Sequence, residues 1–195
     1  MDWITLTILV LFGAAYGRLL KTTVNWLNID GYQIPNDIWL LEIISAWLWL
    51  WAFLEMPSNE ATIFSLLASI LIAVSWVDLK TFQIPLIFMI AGFVISAAGV
   101  LFKLTTMTDA FWGIIVGAFV PTVLMGMTYL FTKRQGMGFG DIQLGFVLGA
   151  WLGPVRMALT LFGASFLSLI IWTIISFNKG FNKDRAMPFA PYLAI

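Results

Sequence analysis

Neither cysteine nor histidine occurs in the 195 residues. Without cysteine there is no disulfide, no thiolate nucleophile and no cysteine-bound zinc. Without histidine there is no Ser–His pair and no His-Glu-x-x-His metal motif. Any catalysis must therefore fall to carboxylates, Ser, Lys, Tyr or an external cofactor. Charge is scarce as well: ten basic and ten acidic residues make up 10% of the chain and cancel. A chain of zero net charge offers no electrostatic footprint for nucleic acid.

Apolar side chains fill the space that charge leaves. They make up 61% of the sequence, and 16% of all residues are aromatic. Uncharged runs such as 61–77 recur along the chain, and roughly 17–25 such residues cross the apolar core of a bilayer as a helix. The composition indicates an all-α, polytopic membrane protein built as a single domain over 1–195. Helices are expected at 3–21, 38–56, 61–77, 85–102, 110–131, 142–153 and 155–177. That is about seven transmembrane helices, with the tail at 188–194 starting an eighth. The first apolar run lacks a basic leader region and reads as a retained helix rather than a cleaved signal.

Basic residues orient the chain. With the N-terminus outside, Arg18, Lys21, Lys80, Lys133, Arg134, Lys179, Lys183 and Arg185 fall at inner ends, against Lys103 and Arg156 at outer ends. This is a positive-inside bias. The segment 142–153 is short for a crossing, about 18 Å of helix, and Gly153-Pro154 ends it.

Two acidic residues stand out against the apolar background. Asp78 lies in VDLKTFQIP, at the inner end of the third expected helix, and Pro85 opens the next one. Asp141 follows the glycines of GMGFGD, at the mouth of the sixth. One helix out and one back return both to the same membrane face. Carboxylates at such depth are costly unless paired or functional. Two that lie a few ångströms apart cannot both ionise cheaply; one keeps a proton and the other does not. Such a pair suits hydrolysis of a peptide bond: one group draws a proton from water, the other donates to the carbonyl oxygen. The glycines Gly138 and Gly140 would let a substrate strand approach closely and permit positive φ.

Plainer readings exist for each residue. Asp141 would serve as a helix cap, and Asp78 would pair with Lys80. Asp30, in IDGYQIPND, reads as a solvated loop residue. Gly13-x3-Gly17, Gly113-x3-Gly117 and Gly145-x3-Gly149 read as helix-packing contacts. Trp3, Trp39, Trp76, Trp112 and Trp151 read as interface anchors. A carboxylate-coupled transporter or a non-enzymatic assembly protein would also use features of this kind.

Asp78 with Ile84-Pro85, then Gly138-Phe139-Gly140-Asp141, together resemble the type IV prepilin peptidases, the GxGD aspartyl proteases of pilus and type II secretion systems. The stretch PFAPYLA at 188–194 is similar to a segment after that family's seventh helix, with Ala190 where glycine is usual. The resemblance covers roughly residues 60–194. It implies that Asp78 and Asp141 are the catalytic pair and that neither metal nor cofactor takes part. It further implies that the substrate is a prepilin or pseudopilin, cut after a glycine at the cytoplasmic face of a bacterial inner membrane. Many members also carry, between their first two helices, a cysteine-rich zinc domain implicated in methylating the product. Here only residues 22–37 stand in that place, which puts methylation in doubt. Presenilin-like GxGD proteases, which act on other substrates, share Gly138-to-Asp141 but add a Pro-Ala-Leu motif that PFAPYLA does not supply.

Overall fold

A computed structural model describes residues 2–133, 138–180 and 187–194. Among them there are helices and turns but no strand. Seven α-helices follow in order: α1 (Trp3–Leu27), α2 (Leu40–Glu55), α3 (Ser58–Thr81), α4 (Leu86–Leu101), α5 (Met107–Thr132), α6 (Phe139–Lys179) and α7 (Ala190–Leu193), with a single 3-10 turn (Ile29–Gly31) after α1. Four of them, α1, α3, α5 and α6, are long and apolar enough to cross a membrane. The chain is thus an all-helical membrane protein. The expectation of about seven spanning helices is not met on length: α2 and α4 have 16 residues each, short of the roughly 17–25 a crossing takes.

Hydroxyl groups are accommodated inside the apolar helices by bonding backward. Thr7, Thr22, Thr62, Thr122, Thr160 and Thr173 each donate to the carbonyl four residues earlier. This satisfies the polar group within its own helix, as lipid surroundings require. It also explains why α1 runs six residues past its expected end at 21. Thr22 and Thr23 bond back to Arg18 and Leu19, and the helix stops only at Asn28, which adopts the left-handed conformation.

Glycine sets the closest helix crossings. Gly13 and Gly17 press against the α2 backbone at Ala46 and Leu41, where an added Cβ would stand 2.8 and 2.7 Å from backbone atoms. On the other side of the molecule Gly113 faces Gly149, and Gly117 faces Gly145, so tightly that a Cβ on any of the four would collide with the opposing carbonyl oxygen. The pairing is antiparallel and brings the backbones of α5 and α6 into direct contact. All three glycine pairs pack helices, as their spacing indicates.

The helix α6 is broken at Gly153, whose φ of 74° and ψ of 175° are not helical. Gly145 and Met157 both lie against Gly117. Twelve residues of straight helix would hold them about 18 Å apart, so the chain folds back at the break. The two expected helices, 142–153 and 155–177, are therefore present as two arms of one element. The first arm starts three residues early, at Phe139.

Between α1 and α2 lies a charge cluster. Lys21 is 1% exposed; its ammonium donates to the Ile38 carbonyl at 2.6 Å and the Asn36 carbonyl at 3.3 Å, and sits 3.5 Å from Glu42. Arg18, half-exposed, approaches the same Glu42 oxygen at 3.2 Å. Lys21 is thus more than a topology-setting charge at a helix end: it ties the loop 28–39 to the helix pair. Removing Lys21 leaves Glu42 only the half-exposed Arg18 and takes the buried donor from the Asn36 and Ile38 carbonyls, at a cost of about 1–3 kcal/mol. Lys21→Ala is expected to lower the melting temperature in detergent by several degrees, and an unchanged melt would show that the cluster contributes nothing to stability.

Candidate active site

The most enclosed of the long helices is α3; half of its apolar window is buried, more than in the other three. It runs to Thr81 rather than 77, so Asp78 sits within its last turn. Phe82 then turns left-handed, at φ 54°, its N–H closing on the Asp78 carbonyl. Gln83 and Ile84 follow, and Pro85 caps α4.

Asp141 is reached from the other direction. It is the third residue of α6, not the loop residue before it, and Gly138 is the N-cap. The carboxylate accepts from the Gly138 N–H at 3.2 Å, and the Asp141 N–H donates to the Gly138 carbonyl at 3.2 Å. A carboxylate in this position satisfies an otherwise unpaired N–H and is favoured by the helix dipole. The capping role of Asp141 is therefore real, and it also fixes the side chain in place.

The glycines work differently from the sequence expectation. Gly138 has φ −74° and ψ 149°, ordinary extended backbone, and Gly140 lies inside the helix; neither is left-handed. Gly136 lies outside the described residues. Gly140 serves close approach instead. A Cβ there would stand 2.8 Å from the Ile84 Cβ. The start of α6 thus packs directly on the loop that follows Asp78.

This contact brings the two aspartates into one cavity of about 340 Å³, lined by Asp78, Gln83, Ile84, Gly138, Gly140 and Asp141 among others. Both carboxylates belong to residues less than a tenth exposed. Asp78 forms no ion pair with Lys80 among the described residues. Its partner comes from the far end of the chain: the Ala190 N–H donates to Asp78 Oδ2 at 3.0 Å. The tail thus begins its short helix, α7, at the candidate site. Ala190 is wholly buried and Tyr192 and Leu193 nearly so. Burial also raises the Tyr192 phenol above its ordinary range, so α7 brings no charge to the site.

Three features went unforeseen. The cavity presents two amide side chains, Gln83 and Gln143, one from each wall. Asp30 is exposed, as expected of a loop residue, but it accepts a hydrogen bond from Gln83 at 2.6 Å. Trp76 is no simple interface anchor either, since its indole donates to the Tyr32 hydroxyl at 2.7 Å. No signal in the sequence pairs these loops, since the Asp30–Gln83 bond joins residues 53 apart.

Fold and site define a class: a helical membrane protein with two aspartates, from distant parts of the chain, in one cavity at the ends of its helices. Residues 65–173, more than half of the chain, match the type IV leader peptidase family, and the chain belongs to that family. It is 31% identical over 160 residues to a prepilin leader peptidase/N-methyltransferase of Pseudomonas putida, covering 80% of this chain and 52% of that one. To the protein of the same name in Aeromonas hydrophila it is 28% identical over 161 residues, 80% and 54% of the two chains. A type 4 prepilin-like proteins leader peptide-processing enzyme of Escherichia coli O78:H11 is 28% identical over 181 residues, 88% of this chain and 65% of that one. The chain spans about half the length of the first two of these relatives. No solved structure matches it.

Proposed function

We propose that the chain is an integral membrane aspartic endopeptidase that cuts the leader from prepilin-like proteins, after a glycine, at the cytoplasmic membrane face. The observation that carries this reading is the shared cavity of Asp78 and Asp141 in a member of the leader peptidase family. Two carboxylates in one cavity repel as a dianion, so the pair holds one proton between them. The ionised partner takes a proton from water, and the water attacks the scissile carbonyl. The protonated partner donates to the carbonyl oxygen as negative charge develops there. Each aspartate has its Oδ2 held by a backbone N–H, from Gly138 at Asp141 and from Ala190 at Asp78, which fixes both carboxylates in the cavity they share.

The basic residues at the ends of α1, α3 and α5 favour the N-terminus outside, and the family match favours a bacterial inner membrane. Asp78, Asp141 and residues 187–194 then share the cytoplasmic side. Seven crossings require the bilayer to thin around α2, α4 and the first arm of α6, or these helices to sink within it. Beside the aspartate cavity, an apolar groove of about 390 Å³ runs between α4 and α6 and shares Leu86, Phe139 and Gln143 with it. Such a groove suits an apolar stretch of a membrane-inserted substrate.

The test is cleavage of a co-expressed prepilin, with N-terminal sequencing of the product, in wild type and in variants at Asp78 and Asp141. A third position probes the clasp on Asp78. Ala190→Pro deletes the N–H that holds the carboxylate, and hydrogen bonds to charged groups are worth about 1.5–3 kcal/mol. Cleavage is expected to slow by about ten- to a hundredfold. Ala190→Gly, which keeps the N–H, should cleave near the wild-type rate. Equal rates in all three proteins would remove α7 from the active site.

A further inference from the structure

Gln83 lines the aspartate cavity, and its side chain is also held from outside it. Its Nε2 donates to Asp30 Oδ2 at 2.6 Å. A glutamine amide has a donor side and an acceptor side of nearly equal shape, and its neighbours decide which way it faces. An ionised carboxylate only accepts. Asp30 therefore fixes the amide with nitrogen toward itself and leaves Oε1 as the group on offer to the cavity.

Asp30 is itself held firmly, because the loop that carries it is pinned at several points. Asn25 brackets Ile34, donating to its carbonyl at 3.0 Å and accepting from its N–H at 2.7 Å. Lys21 binds the carbonyls of Asn36 and Ile38. The Tyr32 hydroxyl accepts from Trp76, two residues before Asp78. Asp30 and Gly31 form a left-handed turn, at φ 51° and 77°, that an aspartate and a glycine tolerate. The loop thus makes two outward side-chain bonds, and they fall on either side of Asp78, at Trp76 and Gln83.

A peptide stretched past two carboxylates for cleavage exposes backbone N–H groups on both sides of the scissile bond. Each needs an acceptor once it leaves water. We infer that Gln83 binds one of these substrate N–H groups through Oε1, and that Asp30 is the positioning residue that keeps the amide facing that way. Such a bond recognises main chain rather than side chain. It makes the enzyme select for an extended, unfolded segment at the cut. The inference rests on the protease reading above.

The experiment is steady-state cleavage, by purified full-length chain in detergent, of a peptide that spans a prepilin leader and its cut site. A matched set of peptides carries an ester in place of one amide, which deletes a single N–H. Gln83→Ala is expected to raise KM about tenfold, the value of one hydrogen bond to a well-placed acceptor, with kcat changed much less. Asp30→Ala should shift KM in the same direction, and the double variant should be no worse than Gln83→Ala alone, because both substitutions act on one bond. Asp30→Asn should recover part of the loss, since its amide oxygen still accepts. One ester position should weaken wild type about tenfold and leave Gln83→Ala unaffected. Additive effects of the two alanine substitutions overturn the coupling. The absence of any ester position to which wild type is sensitive and Gln83→Ala is not overturns the assignment to substrate main chain. Wild type that cleaves, with Asp78→Asn inactive, confines either failure to Gln83; wild type that leaves the peptide whole overturns both readings. Both side chains are exposed, so melting temperatures within a degree or two of wild type confirm that the variants fold.

Discussion

Asp78→Asn and Asp141→Asn are each expected to abolish leader cleavage while the protein still inserts and melts near the wild-type temperature. Asparagine has nearly the volume of aspartate and keeps a carbonyl oxygen. It can still accept from the Ala190 N–H at position 78 and from the Gly138 N–H at position 141. It cannot take a proton from water or pass one to the scissile carbonyl. Loss of a general acid or base costs roughly 10²–10⁴-fold, and a dyad acting as a unit loses nearly everything with either member. The readout is the ratio of processed to unprocessed prepilin in membranes, with the variant quantified in the same fraction. Cleavage within tenfold of wild type in either variant would mean that the cavity does not hold the catalytic pair.

Gly117→Leu and Gly145→Leu are expected to have the next largest effect, and on the fold before the chemistry. At each position even a Cβ collides with the carbonyl oxygen of the opposing glycine. A leucine there forces α5 and α6 apart along their whole contact, and overpacking of a core typically costs about 1–3 kcal/mol even where only side chains must yield. Here backbone must move, so the chain should fail to accumulate or should melt well below wild type. The first arm of α6 also carries Asp141 at its start, so any chain that survives should cleave poorly. Gly126 and Gly163 supply the contrast. They have open space where a Cβ would go. Alanine at either should be neutral, or stabilising by up to about 1 kcal/mol through lost chain freedom. If alanine at 126 and leucine at 117 proved equally harmful, the close crossing would not be what matters.

Much of this architecture is legible in the sequence because lipid leaves few choices. Apolar runs become helices, small residues spaced by four become crossings, and Gly153-Pro154 interrupts a helix wherever it falls. The two aspartates are legible for the same reason: acids are too costly in such surroundings to be there without purpose. What the sequence hides is where polar groups find partners. Residues 22–27 look like a loop because Thr22, Thr23 and Asn25 are polar, yet the threonines bond within the helix and Asn25 clasps Ile34. Lys21 looks like a topology marker and is a buried tie. Asp30 looks idle, and its bond to Gln83 spans 53 residues, a distance that no local pattern encodes. Gly140 invites a reading as loop flexibility, whereas its contact with Ile84 depends on the approach of two helix ends.

The bond from Ala190 to Asp78 reaches across 112 residues, and it ties the candidate site to the order of synthesis. A ribosome adding about 5–20 residues per second needs roughly 5–20 s to travel from one to the other. Through that interval the nascent protein has inserted its first aspartate without the clasp that steadies it, and for much of it without the second aspartate. On the protease reading, the enzyme would stay latent while its own chain is still being threaded into the membrane.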